Sequence, residues 1–247
     1  MKQGYDVFGE AYAVMLRKDL HHSASIDHEL MRNMILLDPE SVSALYSKAP
    51  DLPKGIVQHP LYNWAQQFRR SSAEDSVRKA LAYVSTLAEQ YTVPFEEMHF
   101  GGTEQQILQR GSDWCADLAR VGLVLLNCLE IPARILHLAD TSRAYWGHVV
   151  CEAYLNGRWA VCDFVHGFFL PYSGWELHRE REKIPALLGE ERNWYAGYFR
   201  AVAVSDYDPM DERNDYSISE PNEYYLTMMR LDQNGQWLMG EEQDMSV

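Results

Sequence analysis

Basic residues are scarce in this chain. Lys and Arg total 22 against 36 Asp and Glu, so the formal net charge of the 247 residues is −14. A general nucleic-acid-binding protein needs a basic face, and this charge balance speaks against that function. Solubility is the favoured explanation of this acidity, which gives only weak support to a basic or amine-bearing partner. We therefore expect no nucleic-acid partner.

Long apolar runs are also missing. No stretch approaches the roughly 20 apolar residues of a membrane-spanning helix, and the N-terminal sequence MKQGYDVFGEAYAVMLRKDL lacks the apolar core of a signal peptide. There are 4 cysteines, without the spacing of a disulfide framework. Because disulfide frameworks belong to oxidising compartments, we expect free thiols, no membrane partner and a cytoplasmic location.

Internal repeats and low-complexity linkers are absent as well. Apolar residues make up 47% of the chain and aromatic residues 12%, enough to form a sizeable core. We predict a single domain over residues 1–247, with a helical portion at 1–70 and a catalytic core at 71–170. An extension at 171–247 is expected to complete the sheet of this domain.

Helical spacing and capping residues predict two early helices. Ile26, Leu30, Met34 and Leu37 recur at helical intervals. A second helix is predicted over 71–91, where Ser71 and Glu74 form a capping-box pattern ahead of one apolar stripe. The stripe consists of Val77, Leu81, Val84, Leu87 and Ala88.

The later part of the chain is less regular. The run WYAGYFRAVAVSDY at 194–207 predicts a segment that begins as helix and ends as strand. YYLTMMRL and QWLM, on either side of Asn234-Gly235, predict a second hairpin. The acidic segment 206–215 lacks the spaced pattern of a calcium loop, and we predict no calcium site there.

The stretch 111–163 is the richest in chemistry. It reads GSDWCADLARVGLVLLNCLEIPARIL, then a polar loop at 140–143, then GHVVCEAYLNGRWAVCD. Apolar spacing predicts a buried helix over 115–130 that ends at Ile131-Pro132, and a strand follows it. Asn156-Gly157 predicts a hairpin of strands 147–155 and 158–165.

This hairpin brings a histidine and an aspartate together. A two-residue turn pairs Leu155 with Arg158, and counting back along both strands puts His148 and Asp163 on one face as diagonal neighbours. Such neighbours lie roughly 7–8 Å apart at the backbone. The carboxylate is expected to accept the imidazole Nδ1 hydrogen, which leaves Nε2 facing a nucleophile.

The same register places Cys151 opposite Cys162 on the other face of the hairpin, where we expect core thiols that air could oxidise to a cross-strand disulfide. A zinc site built from His148, Cys151, Cys162 and His166 would draw ligands from both faces, against the convergence that zinc requires. We predict no metal and no other cofactor.

Cys115 stands where the buried helix should begin. Exposed backbone N–H groups and the helix dipole favour a negative charge there, and therefore the reactive thiolate. The first-turn amides, including that of Cys115, could also hold an oxyanion. The alternative is a small buried apolar side chain, but the polar GSDW approach and the His–Asp hairpin favour a catalytic nucleophile.

Together these residues resemble the transglutaminase-like superfamily, which is related to papain-type cysteine enzymes. GSDWCADLARVGLVLLNCLEIPARIL is similar to the family's Cys helix ending in GIPAR, with Glu130 in place of the usual Gly. GHVVCEAYLNGRWAVCD is similar to the GHxWxEVY…GxWxxxD hairpin, with Val150 where an aromatic residue is common. The resemblance covers about 60 residues and identifies no subfamily.

The resemblance implies an α+β fold, in which the Cys helix packs on an antiparallel sheet that carries the His and the Asp. It also implies that Cys115 is the nucleophile, His148 the general base and acid, and Asp163 the orienting carboxylate. Such a triad attacks a carboxamide or peptide carbonyl to form a thioester acyl-enzyme, which then passes its acyl group to an amine or to water. No calcium-binding feature of the large animal transglutaminases is recognisable.

Further site residues are less determined. Related enzymes place a Trp or Gln before the nucleophile as an oxyanion donor, and the candidates here are Trp114 and Gln109, with Gln105 and Gln106 as alternatives. Trp114 could equally be a core or groove aromatic. Tyr145 and Trp146 are expected to line the acyl groove or simply to pack. For Arg134, a structural role as a charge near the end of the helix is favoured. For Glu152, a role as a solvated or ion-paired carboxylate is favoured.

The leading hypothesis is thus a cytoplasmic, cofactor-independent cysteine enzyme. It would act on a peptide, protein or small-molecule amide, with an amine as a possible co-substrate. Hydrolysis and acyl transfer remain open, because the choice depends on whether the groove excludes water. A catalytically silent binding module of the same fold, and a structural thiol protein without a site, are the alternatives.

Overall fold

The structure, a computed structural model, describes residues 34–89, 101–112, 114–140, 147–205 and 207–210. Within these ranges it combines helices with one antiparallel sheet. No helix of the described ranges is both long and apolar enough to cross a bilayer.

The sheet of the described residues has six strands in the spatial order β1-β6-β2-β3-β4-β5. Every neighbouring pair runs antiparallel. β2 and β3 form the centre of the sheet, and β6, which arrives late in the chain, fits between β1 and β2. In chain order the strands are β1 (Ile35–Leu36), β2 (Ala133–Ala139), β3 (Gly147–Leu155), β4 (Arg158–Asp163), β5 (Phe168–Leu170) and β6 (Ala201–Ser205).

Helices precede and follow the central strands. The α-helices are α1 (Pro39–Leu45), α2 (Tyr62–Ala65), α3 (Ala73–Glu89), α4 (Glu104–Arg110), α5 (Cys115–Cys128), α6 (Gly174–Arg179) and α7 (Lys183–Leu188). Short 3-10 helices lie at Ile56–Gln58 and Gln66–Phe68. A longer run of 3-10 turns, Glu190–Arg200, is interrupted by non-helical backbone at Arg192 and Phe199 and leads directly into β6.

The sheet carries an apolar cluster on each face. On one face α3 and α5 pack over odd-numbered residues of β3, including Cys151, together with Cys162 of β4. On the other face Leu177 of α6, Ile184 of α7 and the 190–200 turns cover even-numbered residues of β3 such as Val150. Because both faces are covered, polar side chains within the sheet must find partners inside the protein.

The hairpin agrees with its prediction. Asn156 and Gly157 both have positive φ, 52° and 81°, which a tight two-residue turn requires. Leu155 pairs with Arg158 and Cys151 with Cys162. The buried helix and the strand after it were also predicted correctly, as was the change from helical turns to strand near residue 200.

Several predicted boundaries were wrong. The prediction of a helix over 26–37 was wrong at its C-terminal end, where residues 35–36 form strand β1 and Ile35 pairs with Val204. Residues 26–33 lie outside the described ranges. Ser72, not Ser71, caps α3: its hydroxyl accepts the N–H of Asp75 at 3.0 Å, which puts the capping pattern one residue later. β4 ends at Asp163 rather than at 165. The hairpin predicted around 234–235 lies outside the described ranges.

Gly122 of helix α5 packs closely against Phe164, the residue that follows β4. A Cβ placed on Gly122 would lie 2.2 Å from the ring of Phe164, which is itself buried next to Asp163. We expect Gly122→Ala to lower the free energy of unfolding by about 1–2 kcal/mol. A contact as short as 2.2 Å puts the cost of overpacking in the upper part of its range, about 2–3 kcal/mol, and the better helix propensity of alanine returns ~1 kcal/mol. Urea unfolding measures this, and adding Phe164→Leu should recover part of the loss. A Gly122→Ala protein of unchanged stability would contradict the packing described.

Candidate active site

Cys115 is the first residue of α5 and is half-buried. The residue before it, Trp114, has extended backbone and makes no side-chain cap for the helix. Within the described residues, therefore, no side chain of the N-cap residue accepts the first-turn N–H groups beside the thiol. They provide the positive end of a helix dipole next to a sulfur atom that solvent can reach.

A buried carboxylate fixes the approach to this helix. Both oxygens of Asp117, in the first turn of α5, accept the backbone N–H of Gly101, at 3.0 and 3.1 Å. Ser112 Oγ donates to the same carboxylate at 3.1 Å and accepts the N–H of Trp114. An ion pair of 3.2 Å with Arg110 completes the set. Asp117 thereby links the backbone at Gly101, the end of helix α4 and the first turn of helix α5 next to Cys115.

His148 and Asp163 meet as the hairpin register predicts. His148 Nε2 lies 2.8 Å from Asp163 Oδ2, and both side chains are buried. The Cys115 thiol lies close enough to the same imidazole to help raise its pKa. The structure therefore brings Cys115, His148 and Asp163 together in one chain of contacts.

The geometry corrects one detail of the expectation. Asp163 accepts from Nε2 of His148, not from Nδ1, so Nδ1 is the nitrogen left for Cys115. α5 covers the sheet face that carries Cys151 and Cys162, whereas His148 lies on the opposite face with Val150. Thiol and imidazole consequently meet at the beginning of β3, where His148 is the second residue.

Asp163 is saturated with donors. Oδ2 accepts from His148, from His166 Nδ1 at 2.8 Å and from the Tyr195 hydroxyl at 2.7 Å. Oδ1 accepts the backbone N–H groups of Val165 and His166 at 2.9 and 3.1 Å. Five donors hold one buried carboxylate, a set that stabilises its ionised form.

These contacts move the pKa values of both partners. Burial favours the neutral form of His148, but the charge and hydrogen bond of Asp163, assisted by Cys115, outweigh burial and raise the pKa of His148 above its ordinary value. Burial likewise opposes ionisation of Asp163, yet His148 and His166 hold the pKa of that carboxyl well below its usual range. Both shifts favour the imidazolium–carboxylate form of the pair.

Aromatic rings surround the His148 imidazole. Ring centroids of Tyr198, His166 and Tyr195 lie 5.2, 5.3 and 6.1 Å from that of His148. Trp194 in turn lies 5.5 Å from His166 and 6.0 Å from Tyr198, and 46% of Trp194 is exposed. The aromatic wall, as we call Trp194, Tyr195, Tyr198 and His166, leads from the imidazole to solvent.

His166, Tyr195 and Tyr198 were not recognised from the sequence as parts of this site. From the sequence, His166 is a candidate only for the zinc site that the hairpin register argues against. Its position three residues after Asp163, in the turn that follows β4, is the signal that could have identified it, since an Asx-type carboxylate commonly accepts N–H groups two and three residues ahead. Tyr195 and Tyr198 carry no comparable local signal.

The same side chains form a group capable of metal binding. Ligand atoms of His148, Asp163 and His166 all lie within 4.8 Å of one another. Both imidazoles direct a nitrogen at Asp163 Oδ2 at 2.8 Å, whereas ligand atoms of a tetrahedral zinc site are roughly 3.4 Å apart for bonds of ~2.1 Å. Hydrogen bonding accounts for this geometry, and the absence of a metal remains a prediction.

The other predicted oxyanion and groove residues keep their roles as predictions. Gln109 and Gln105 are exposed on α4. The Gln106 side chain accepts from the backbone N–H of Thr103 and so caps that helix. Trp114 is adjacent to the thiol through the chain, and its side-chain role stays a prediction. Tyr145 and Trp146 lie outside the described ranges.

The remaining cysteines occupy apolar surroundings. All four thiols are free. Burial raises the pKa of Cys128 to about 12 and raises the pKa values of Cys151 and Cys162 well above the usual range. The Cys151 thiol donates to the Ala119 carbonyl of α5 at 2.9 Å, as a core thiol would.

Arg134 and Glu152 form a buried structural ion pair. Their closest nitrogen and oxygen atoms are 2.8 Å apart, and the Glu152 side chain is fully buried, not solvated. Glu152 also accepts from the Tyr46 hydroxyl and from the Gly174 N–H. The guanidinium lies against the rings of Tyr46 and Trp159, 4.2 and 3.9 Å from their centroids. The favoured structural role of both residues agrees with these contacts.

No family model matches this chain, and no curated protein matches it. Among solved structures, the chain is similar to one from Cytophaga hutchinsonii described as a "putative cysteine protease". The identity is 18% and the TM-score 0.36, and the match covers 56% of this chain. It covers 47% of the Cytophaga hutchinsonii chain, so it spans about half of that protein's length. Within the described residues, the architecture is a mixture of helices and antiparallel sheet.

Proposed function

We propose that this protein is a cysteine-dependent enzyme of the transglutaminase-like type, which acts on amides through a thioester at Cys115. One observation carries the proposal: the His148 imidazole is bonded to the buried Asp163 carboxylate at 2.8 Å, and the Cys115 thiol is near enough to interact with the same imidazole. A nucleophile, a base and a group that orients the base are the parts that thiol catalysis needs.

The first half of the reaction follows from these groups. The Cys115 thiolate attacks the amide carbonyl carbon, a C–S bond forms, and the carbonyl electrons move to oxygen beside the first-turn N–H groups of α5. The intermediate collapses, the C–N bond breaks, and the leaving amine takes a proton from the His148 imidazolium. A thioester remains on Cys115, and His148 is neutral.

The second half regenerates the enzyme. His148 removes a proton from an incoming amine or water, the new nucleophile attacks the thioester, and the C–S bond breaks to return the thiolate–imidazolium pair. Asp163 stabilises the imidazolium in both halves because it is ionised and cannot leave the five donors that hold it. Both acyl transfer and hydrolysis use the same atoms.

The test is capture of the acyl-enzyme. Glutamine-containing and C-terminal amide peptides are incubated with the protein, and intact-mass spectrometry follows the added acyl mass on Cys115, with water alone or with an added primary amine. We expect a thioester adduct in the wild type that hydroxylamine removes, and none in Cys115→Ala. Amine incorporation identifies a transferase, whereas release of free acid identifies a hydrolase.

The opposite result is equally defined. If no peptide or small amide produces an adduct or turnover, while Cys115 resists alkylation at pH 6, the chain is a binding module that retains the fold. Cys162→Ala, which removes a fully buried thiol from the sheet face opposite His148, serves as the matched control and should retain the adduct.

A further inference from the structure

A cleft of about 340 Å³ opens beside the aromatic wall. Its lining residues come from the end of β2, from the segment before α7 and from the 190–200 turns. They are Asp140, Arg181, Asn193, Trp194, Ala196, Gly197 and Arg200.

The cleft adjoins the aromatic wall of the candidate active site. Trp194 belongs to both, since it lines the cleft and contacts His166 and Tyr198, the two rings nearest His148. Asp140 directly follows β2, in which Leu138 is the strand partner of His148. A substrate whose amide lies at Cys115 could therefore reach the cleft by an arm that runs along the aromatic wall.

Guanidinium groups dominate the chemistry of the cleft. Arg200 Nε forms a 2.9 Å ion pair with Asp140, whose side chain is only 8% exposed. Gly197 permits this arrangement, because a Cβ on it would lie 2.9 Å from Asp140 Oδ2. Two arginines against one aspartate leave a net positive charge, in a chain whose formal charge is −14. The charged lining residues of the cleft thus sum to +1, although the chain as a whole is acidic.

We propose that this cleft is a subsite for a carboxylate group carried by the amide substrate. Arg181 and Arg200 would hold the carboxylate through their planar forks, a geometry that arginine matches with two parallel N–H donors. Asn193 adds an amide donor, and the exposed face of Trp194 packs against the apolar arm between the amide and the carboxylate. The proposal rests on the proposed function, because it assigns the substrate class of that same site.

The charge of the cleft argues against a cation as occupant. A lysine side chain or a polyamine in this position would face two guanidinium groups, and like charges at close range disfavour binding. The overall acidity of the chain, which gives only weak support to an amine-bearing partner, thus does not extend to this cleft. The amine acceptor, where one is used, must approach Cys115 from another side.

Matched affinity labels test the subsite. Bromoacetyl-amino acids with arms of about two to six methylenes, and the same compounds with a carboxamide in place of the carboxylate, are compared by the second-order rate of Cys115 alkylation. We expect one arm length at which the carboxylate reacts about 10-fold faster than its carboxamide, as for a charge-assisted hydrogen bond.

Charge-matched variants separate binding from long-range attraction. Arg181→Gln should remove most of the carboxylate preference. Arg158→Gln removes the same charge from the exposed turn of the hairpin and should retain the preference. Thermal unfolding and circular dichroism of Arg181→Gln confirm that the comparison is made on folded protein.

The outcomes distinguish the two proposals. Rapid labelling of Cys115 with no carboxylate preference at any arm length, or a preference that Arg181→Gln and Arg158→Gln reduce equally, overturns the subsite and leaves the enzyme intact. Failure of every label to react preferentially with Cys115 overturns the proposed function, and the substrate assignment falls with it.

Discussion

Replacing His148 with alanine is expected to slow alkylation of Cys115 at pH 6 by about 10- to 100-fold. A free thiol, with a pKa of about 8.5, is less than about 1% ionised at pH 6, whereas a thiol paired with an imidazolium is largely thiolate. The gain in ionised fraction is partly offset because a more acidic thiol is a weaker nucleophile, with a Brønsted slope of about 0.4–0.5. The net effect is smaller than the change in ionisation alone.

Iodoacetamide labelling with peptide mass spectrometry measures this rate. His178→Ala, which removes a histidine that stacks on Trp175 and bonds to the Phe199 carbonyl, is the matched control and should react as the wild type does. An unchanged Cys115 rate in His148→Ala would mean that the imidazole does not assist the thiol, and the proposed mechanism would lose its base.

The second large effect is expected from Asp163→Asn. The carboxylate accepts five hydrogen bonds in the buried site, and an amide turns one acceptor oxygen into an NH₂ group that faces donors. Breaking a buried charged pair costs about 3–5 kcal/mol. For a chain of this size each kcal/mol lowers the melting temperature by about 2–4 °C, so a decrease of about 6–20 °C is expected.

Glu74→Gln is the control for Asp163→Asn. It makes the same carboxylate-to-amide change in the exposed ion pair of Glu74 with Arg78 on α3, and less than about 1 kcal/mol should be lost there. If Asp163→Asn melted within about 2 °C of the wild type, the five-donor arrangement would be wrong.

The difference in stability between the wild type and Asp163→Asn should also depend on pH. The raised pKa of His148 contributes stability that is complete below about 6.5, the unfolded value, and is lost as the pH rises through the folded pKa. The lowered pKa of Asp163 contributes stability that is complete above about 3.9 and is lost as the pH falls. The stability gap between wild type and Asp163→Asn should therefore be widest between about pH 4 and 6.5. Urea titrations across pH 3 to 9 measure it, and a gap that widened steadily towards pH 9 would contradict these directions.

The parts of the fold that depend on neighbours in sequence could be predicted. Asn156-Gly157 determines the turn, the turn determines the register, and the register puts His148 near Asp163. The apolar stripe of α3 is likewise local, because all of it lies on one helix. Ser71 and Ser72 show the limit of such patterns: both fit a capping motif, and only the position of the first buried turn decides between them.

What could not be predicted depends on contacts distant in sequence. Tyr195 donates to Asp163 only because the 190–200 turns pack over the sheet face of Val150, and no pattern near residue 195 indicates this. β1 is strand because Ile35 meets Val204 of β6, although the apolar spacing before it is helical. The choice of Nε2 over Nδ1 depends on where the imidazole lies relative to both α5 and β4, which the register of one hairpin does not define.

The most direct test of the central claim is the pH profile of alkylation for all four cysteines of the wild-type protein, resolved by mass spectrometry. The account predicts that Cys115 alone reacts rapidly at about pH 6. Cys128, Cys151 and Cys162, whose pKa values are raised by burial, should stay unreacted until the protein unfolds. A Cys115 that reacts no faster than the other three would contradict the assignment of a nucleophile activated by His148 and Asp163.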